Sequence, residues 1–136
     1  MTRRIAISFG AVQGTAAGLG RTGPFSVIAD RPQGIAGGAG LGFNGAELLA
    51  AALGGCFWND LHHVAYAAGV PVTVDTVDAA VELAGNPPRI VRAQVTARLS
   101  GAPDNTLAEI FAAAEDASTV ASSLQPAFPV HFERLD

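Results

Sequence analysis

From Ala46 to about Ala68 the chain reads AELLAAALGGCFWNDLHHVAYAA, a run without proline that is apolar almost throughout. This run limits the possible architectures more than any other stretch. Wound as an α-helix, it carries Leu48, Leu49, Ala51, Ala52, Leu53, Phe57, Trp58, Leu61, Val64 and Tyr66 on nearly every face. A helix of that kind must be covered, either inside a core or in an interface between subunits. Glu47, Asp60 and two histidines keep it short of the roughly 20 uninterrupted apolar residues of a membrane-spanning helix, so no membrane partner is expected.

The rest of the composition agrees with a buried central helix. The chain has 136 residues, enough for a single domain over residues 1–136. Of these, 49% are hydrophobic and 15% charged, which excludes a disordered chain and points to apolar surface buried in a homo-oligomer. All eight basic residues are arginines, set against twelve acids for a net charge of −4. With no lysine and no basic run, nucleic acid is not an expected partner. The N-terminal MTRRIAISFGAV is too briefly apolar for a signal peptide. The expected location is therefore cytoplasmic, where a single cysteine stays reduced.

Around the helix the pattern alternates between strands and turns. IAISF (5–9) reads as a short strand, and Phe25–Asp30 as a second after a glycine-rich turn. Gly18, Gly20 and Gly23 formally spell GxGxxG, but proline and a strand follow where a dinucleotide site needs a helix. The six-glycine loop 31–45 reads as a close-packed connection, since no lysine exists to complete a Walker motif. Asn44 and Glu47 have the spacing of a reciprocal helix cap. Two strands, Val70–Leu83 with a bulge near Thr76 and Arg89–Leu99, are joined by AGNPP. Leu107, Ile110, Phe111 and Ala114 form one stripe of a second amphipathic helix. A short turn at VASSLQ and a last strand in AFPVHFERL complete an α+β chain with no internal repeat.

Cys56 is the only cysteine. By pattern alone it is a small residue suited to burial. Lying about 15 Å past the helix start, it gains little from the N-terminal dipole, and Asp60 one turn on would oppose ionisation if charged. His63 shares this face, but seven residues place it about 10.5 Å away along the axis, too far for a Cys/His dyad or one shared metal ion. His62 points about 100° away from His63, and no CxxC or HExxH is present. No metal and no cofactor are expected.

Asn44, Glu47, LLAAALGGC (48–56), AGVPV (68–72) and AEDASTV (114–120) together resemble the OsmC/Ohr family, in the family's order, over about Phe25–Phe132. The resemblance implies an α+β, OsmC-like fold with antiparallel sheets wrapped around two central helices in an intertwined homodimer. It also implies thiol-dependent reduction of organic hydroperoxides, with one cysteine attacking and a second resolving the sulfenic acid, assisted by an arginine and a glutamate. Carried onto this sequence, Cys56 takes the attacking position and Ser118 the resolving one, where serine cannot form the disulfide. Glu47 lies nine residues before Cys56, and Arg21, ahead of Arg31, is the arginine chosen. Trp58, Phe57 and Ser118 are expected around the binding pocket. Two functions remain open: a one-cysteine hydroperoxide reductase in oxidative stress defence, served by an external thiol reductant, or a catalytically degenerate dimer that binds a small apolar ligand.

Overall fold

A computed structural model describes residues 1–136, and the chain falls into two units, Met1–Leu48 and Leu49–Asp136. In the first, strands β1 (Ser8–Ala11), β2 (Gly18–Thr22) and β3 (Phe25–Ala29) form an antiparallel meander in the order β1-β2-β3. Strand β2 occupies sequence expected to be turn. Gly20 stands opposite Phe9, and a Cβ there would come within 2.7 Å of the Phe9 ring. The glycine is thus a strand position whose missing side chain makes room for a cross-strand aromatic. The formal GxGxxG is part of a strand and a hairpin turn.

After β3 the loop folds back on itself. Phe43 N–H donates to Ile28 O at 2.9 Å and Asp30 N–H to Phe43 O at 3.0 Å, so that Phe43 runs parallel beside Ala29. Gly42 allows this approach, because a Cβ would stand 2.1 Å from Ile28 O. The buried Asp30 carboxylate holds the loop from inside, accepting the N–H groups of Arg31 (2.8 Å), Ala39 and Leu41 (both 3.1 Å).

Helix α1 spans Gly45–Ala68, 24 residues and about 36 Å. Its start is the reciprocal cap the spacing predicts: Glu47 N–H donates to Asn44 Oδ1 at 2.9 Å, and Asn44 N–H donates to Glu47 Oε1 at 3.0 Å. At its end Gly69 adopts φ 68°, with Gly69 N–H bonded to Tyr66 O and Val70 N–H to Ala65 O, a Schellman closure.

The second unit packs α1 and two further helices, α2 (Asp104–Ala117) and α3 (Thr119–Leu124), with a sheet of β4 (Thr73–Ala84), β5 (Arg89–Ser100) and β6 (Val130–Leu135) in the order β4-β5-β6. β4 and β5 form an antiparallel hairpin with a register shift at Val74/Thr76, where the phase change in the sequence predicts a bulge, and a second shift at Glu82/Leu83. β6 joins β5 in parallel, after the crossover through α2 and α3. Alternation of side chains in AFPVHFERL carries no information on strand direction, so this pairing had no signal in the sequence.

Only one stripe of α1 is buried: Leu53, Phe57, Leu61 and Ala65, each four residues from the next. It shares one core with Ala93, Val95, Ala97 and Leu99 of β5 and with Leu107, Ile110, Phe111 and Ala114, the stripe expected on α2. The Phe57 ring is central, set edge-on to Phe111 at 5.1 Å and tilted against Phe132 at 4.8 Å. The other faces of α1 are largely open, with Tyr66 88% exposed. No helix is long and apolar enough to cross a membrane.

Candidate functional site

Cys56 is half-buried on α1, and Asp60 follows one turn later on the same face. Cys56 Sγ–H donates to Asp60 Oδ2 at 3.4 Å. From the opposite side of the sequence, 62 residues on, Ser118 Oγ–H donates to the same sulfur at 3.8 Å. Ser118 is 1% exposed and marks the junction between α2 and α3. With φ −67° and ψ 105° it leaves the helical path, its N–H bonding to Glu115 O and its C=O accepting Ser122 N–H. Its side chain caps neither helix. The break between the helices therefore leaves the hydroxyl to Cys56, so that one sulfur has two oxygen neighbours, one acidic and one neutral.

The other expected site residues are distributed differently. Phe57, expected at a pocket wall, is fully buried between Phe111 and Phe132 and is a core residue in this packing. Trp58 is 40% exposed, and its indole lies tilted over the His62 ring at 5.3 Å. Glu47 serves the cap with one carboxylate oxygen and also lines a groove of about 550 Å³ in the first unit, beside Leu19, Val27, Ile28, Leu41 and Phe43. Arg21 is exposed on β2, paired across the sheet with Ser8 and Ser26. Arg31 is held by its own loop, Nε–H donating to Ala36 O at 2.9 Å. No group of three His, Cys, Asp or Glu side chains is arranged to hold a metal ion.

Asp30 is a buried polar residue that belongs to no motif in the sequence. Hydrogen bonds from backbone N–H groups, Leu41 first and then Ala39 and Arg31, hold its carboxyl below the usual carboxylate range, with a smaller pull from the Arg31 charge and an opposing push from burial. An aspartate placed directly between a strand and a glycine-rich loop is the available signal for such a clamp. On the second unit, Glu82 and Arg92 form a cross-strand ion pair at 2.5 Å that lowers the glutamate and raises the arginine, but both ends are exposed and the pair adds little to stability.

Known proteins place this geometry in a family. No curated protein matches the sequence. Among solved structures, the fold is similar to an OsmC-like protein from Mycoplasma pneumoniae, with TM-score 0.76, 14% identity and coverage of 99% of this chain and 98% of that one. It is also similar to the organic hydroperoxide resistance protein OsmC from Legionella pneumophila, with TM-score 0.70, 20% identity and coverage of 99% and 100%. OhrB of Bacillus subtilis, an organic hydroperoxide resistance protein, follows with TM-score 0.69, 19% identity and coverage of 96% and 98%. At such identities the structures speak for the fold alone. The family model described as OsmC-like protein matches residues 37–133, more than half of the sequence, and the chain therefore belongs to the OsmC family.

Proposed function

We propose that the protein is a homodimeric, one-cysteine organic hydroperoxide reductase of the cytoplasm, recycled by an external thiol. The observation that carries this reading is the Ser118 hydroxyl 3.8 Å from Cys56 Sγ. The side chain that the α2–α3 junction brings to the thiol is one that cannot close a disulfide. In the first step the Cys56 thiolate attacks the terminal peroxide oxygen, the O–O bond breaks, the hydroxyl passes to the sulfur as a sulfenic acid, and the alkoxide leaves as the alcohol with the proton that the thiol had released. A low-molecular-weight thiol then displaces water to form a mixed disulfide with Cys56. A second thiol attacks that disulfide, restores the Cys56 thiol and leaves as the oxidised reductant. The names of the Legionella and Bacillus proteins support organic hydroperoxides as the substrate class.

Arg21 and Glu47 are assigned to orient the hydroperoxide. The guanidinium supplies donors to the peroxide oxygens, and the carboxylate fixes its direction. Trp58 would provide apolar surface for the organic group. The test is exposure of the reduced protein to stoichiometric cumene hydroperoxide, with intact mass and dimedone trapping as the readouts and Cys56→Ser as the control. Rapid gain of one oxygen at Cys56, reversed by an added small thiol, is the expected result. No oxygen gained within minutes removes the enzyme reading.

One observation favours a second function. The groove of about 550 Å³ beside Glu47 is lined mainly by apolar side chains and falls in the size range of small-ligand sites. A dimer that binds a small apolar ligand without turnover would copurify with such a molecule and would leave Cys56 unmodified by the peroxide. Native mass spectrometry of the purified protein separates the two readings.

A further inference from the structure

The two contacts to Cys56 Sγ can serve an oxidised sulfur as well as a reduced one. The thiol makes an ordinary hydrogen bond to Asp60 Oδ2 at 3.4 Å, while Ser118 Oγ, at 3.8 Å, stands near the outer limit for one to sulfur. Once the sulfur gains an oxygen, that atom projects beyond it and can approach each neighbour at the about 2.5–3.0 Å of a strong O–H···O bond. The chemistry of the two neighbours is complementary to a sulfenic acid. Its hydroxyl hydrogen donates to the Asp60 carboxylate, a charge-assisted bond, while its oxygen accepts the Ser118 hydroxyl hydrogen. Neither neighbour has another side-chain partner, and Ser118 is 1% exposed, so water does not compete for its hydroxyl.

We propose that Asp60 and Ser118 are positioning residues for the sulfenic acid of Cys56, holding it in its protonated form until an external thiol arrives. This deepens the reductase reading and rests on it. Over-oxidation requires the deprotonated sulfenate to attack a second peroxide, breaking its O–O bond, releasing an alcohol or water and leaving a sulfinic acid that small thiols do not reduce. Asp60 accepts the sulfenic hydroxyl and its charge opposes formation of the sulfenate anion, while Ser118 turns the S–O bond so that the hydroxyl stays on Asp60. In a chain whose only cysteine is Cys56, this hold does the protective work that a disulfide would otherwise do.

The experiment follows the split between one and two oxygens gained at Cys56 by intact mass over time, in excess cumene hydroperoxide and separately in millimolar hydrogen peroxide. Wild type is compared with Asp60→Ala, Ser118→Ala and the acceptor-retaining Asp60→Asn, with thermal melting to confirm that each is folded. The expected result is a wild-type protein that stays at one added oxygen, and alanine variants that move to two faster by about fivefold each, the factor for one net hydrogen bond. Asp60→Asn, which keeps an acceptor oxygen, falls back toward wild type. Equal progress to the sulfinic acid in all four proteins overturns the assignment. Oxidation by hydrogen peroxide but not by cumene hydroperoxide removes the organic-hydroperoxide reading, while the one-to-two oxygen ratio still decides the role of the two residues. A sulfur that takes no oxygen from either reagent overturns both.

Discussion

Ser118 and Asp30 are the two buried polar side chains of the molecule, and each has a single structural task that a substitution can expose. Ser118 faces only Cys56 Sγ. Replacing it with cysteine brings two sulfurs within a side-chain rotation of the about 2.05 Å disulfide bond. Ser118→Cys should therefore lose two hydrogens and both free thiols on mild oxidation with diamide, read by intact mass and thiol titration. Retention of two titratable thiols would show that the Cys56 and Ser118 side chains do not meet. Asp30 accepts three backbone N–H groups, and its carboxyl is held below the ordinary range. Because the folded value lies below the unfolded one, the stability it adds is complete above the ordinary carboxylate pKa of about 3.9 and is lost as pH falls through the lower folded value. Asp30→Asn should unfold at lower urea than wild type at pH 7, and the gap should narrow as the pH is taken down past 4. A gap that stays constant with pH would mean the carboxylate charge is not what holds the loop. Neither residue stood out in the sequence by pattern. Ser118 was placed by family resemblance, because contacts across 62 residues leave no local trace, and Asp30 was hidden among the glycines it organises.

At the scale of elements, what the sequence revealed follows from how local each cause is. The cap of α1 depends on two side chains three residues apart, and both bonds form as the spacing predicts. Asn44→Ala removes one of them and should cost about 1 kcal/mol or somewhat less at this exposed position, measured by urea unfolding. Glu47→Gln keeps a capping oxygen. It should leave stability nearly unchanged and impair peroxide reduction, which separates the structural from the proposed chemical role of Glu47. The stripe of α2 was equally legible, because helical period and burial coincide at Leu107, Ile110, Phe111 and Ala114. Strand β2 was not: its glycines carry the signal of a turn, and only the Phe9 ring lying against Gly20 reveals why a strand needs them. The parallel set of β6 was likewise illegible, since direction is fixed by the crossover and not by the strand's own residues.

For the whole molecule, the sequence called for cover on nearly every face of α1, whereas the chain itself covers one stripe. Trp58 and Tyr66 on the helix, and Ile7, Phe9 and Phe25 in and beside the meander, remain exposed. In each unit, exposed apolar side chains of this kind are what the proposed dimer would cover. The protein should run as a dimer by light scattering at micromolar concentration. Tyr66→Asp combined with Phe25→Asp should shift it toward monomer, and a monomeric wild type would leave the exposed apolar side chains without the proposed explanation.

The placement of β6 also sets an order of events during synthesis. The β4–β5 hairpin joins neighbours in sequence and is ready as soon as Ser100 has emerged. The strand that lies beside β5, and the Phe132 ring that closes one side of Phe57, come only after the whole crossover through α2 and α3 has been made. Until then β5 lacks its neighbour on that edge and Phe57 lacks the Phe132 ring. That interval, set by the ribosome at about 5–20 residues per second, is when a nascent chain of this kind is most prone to pair with a neighbour.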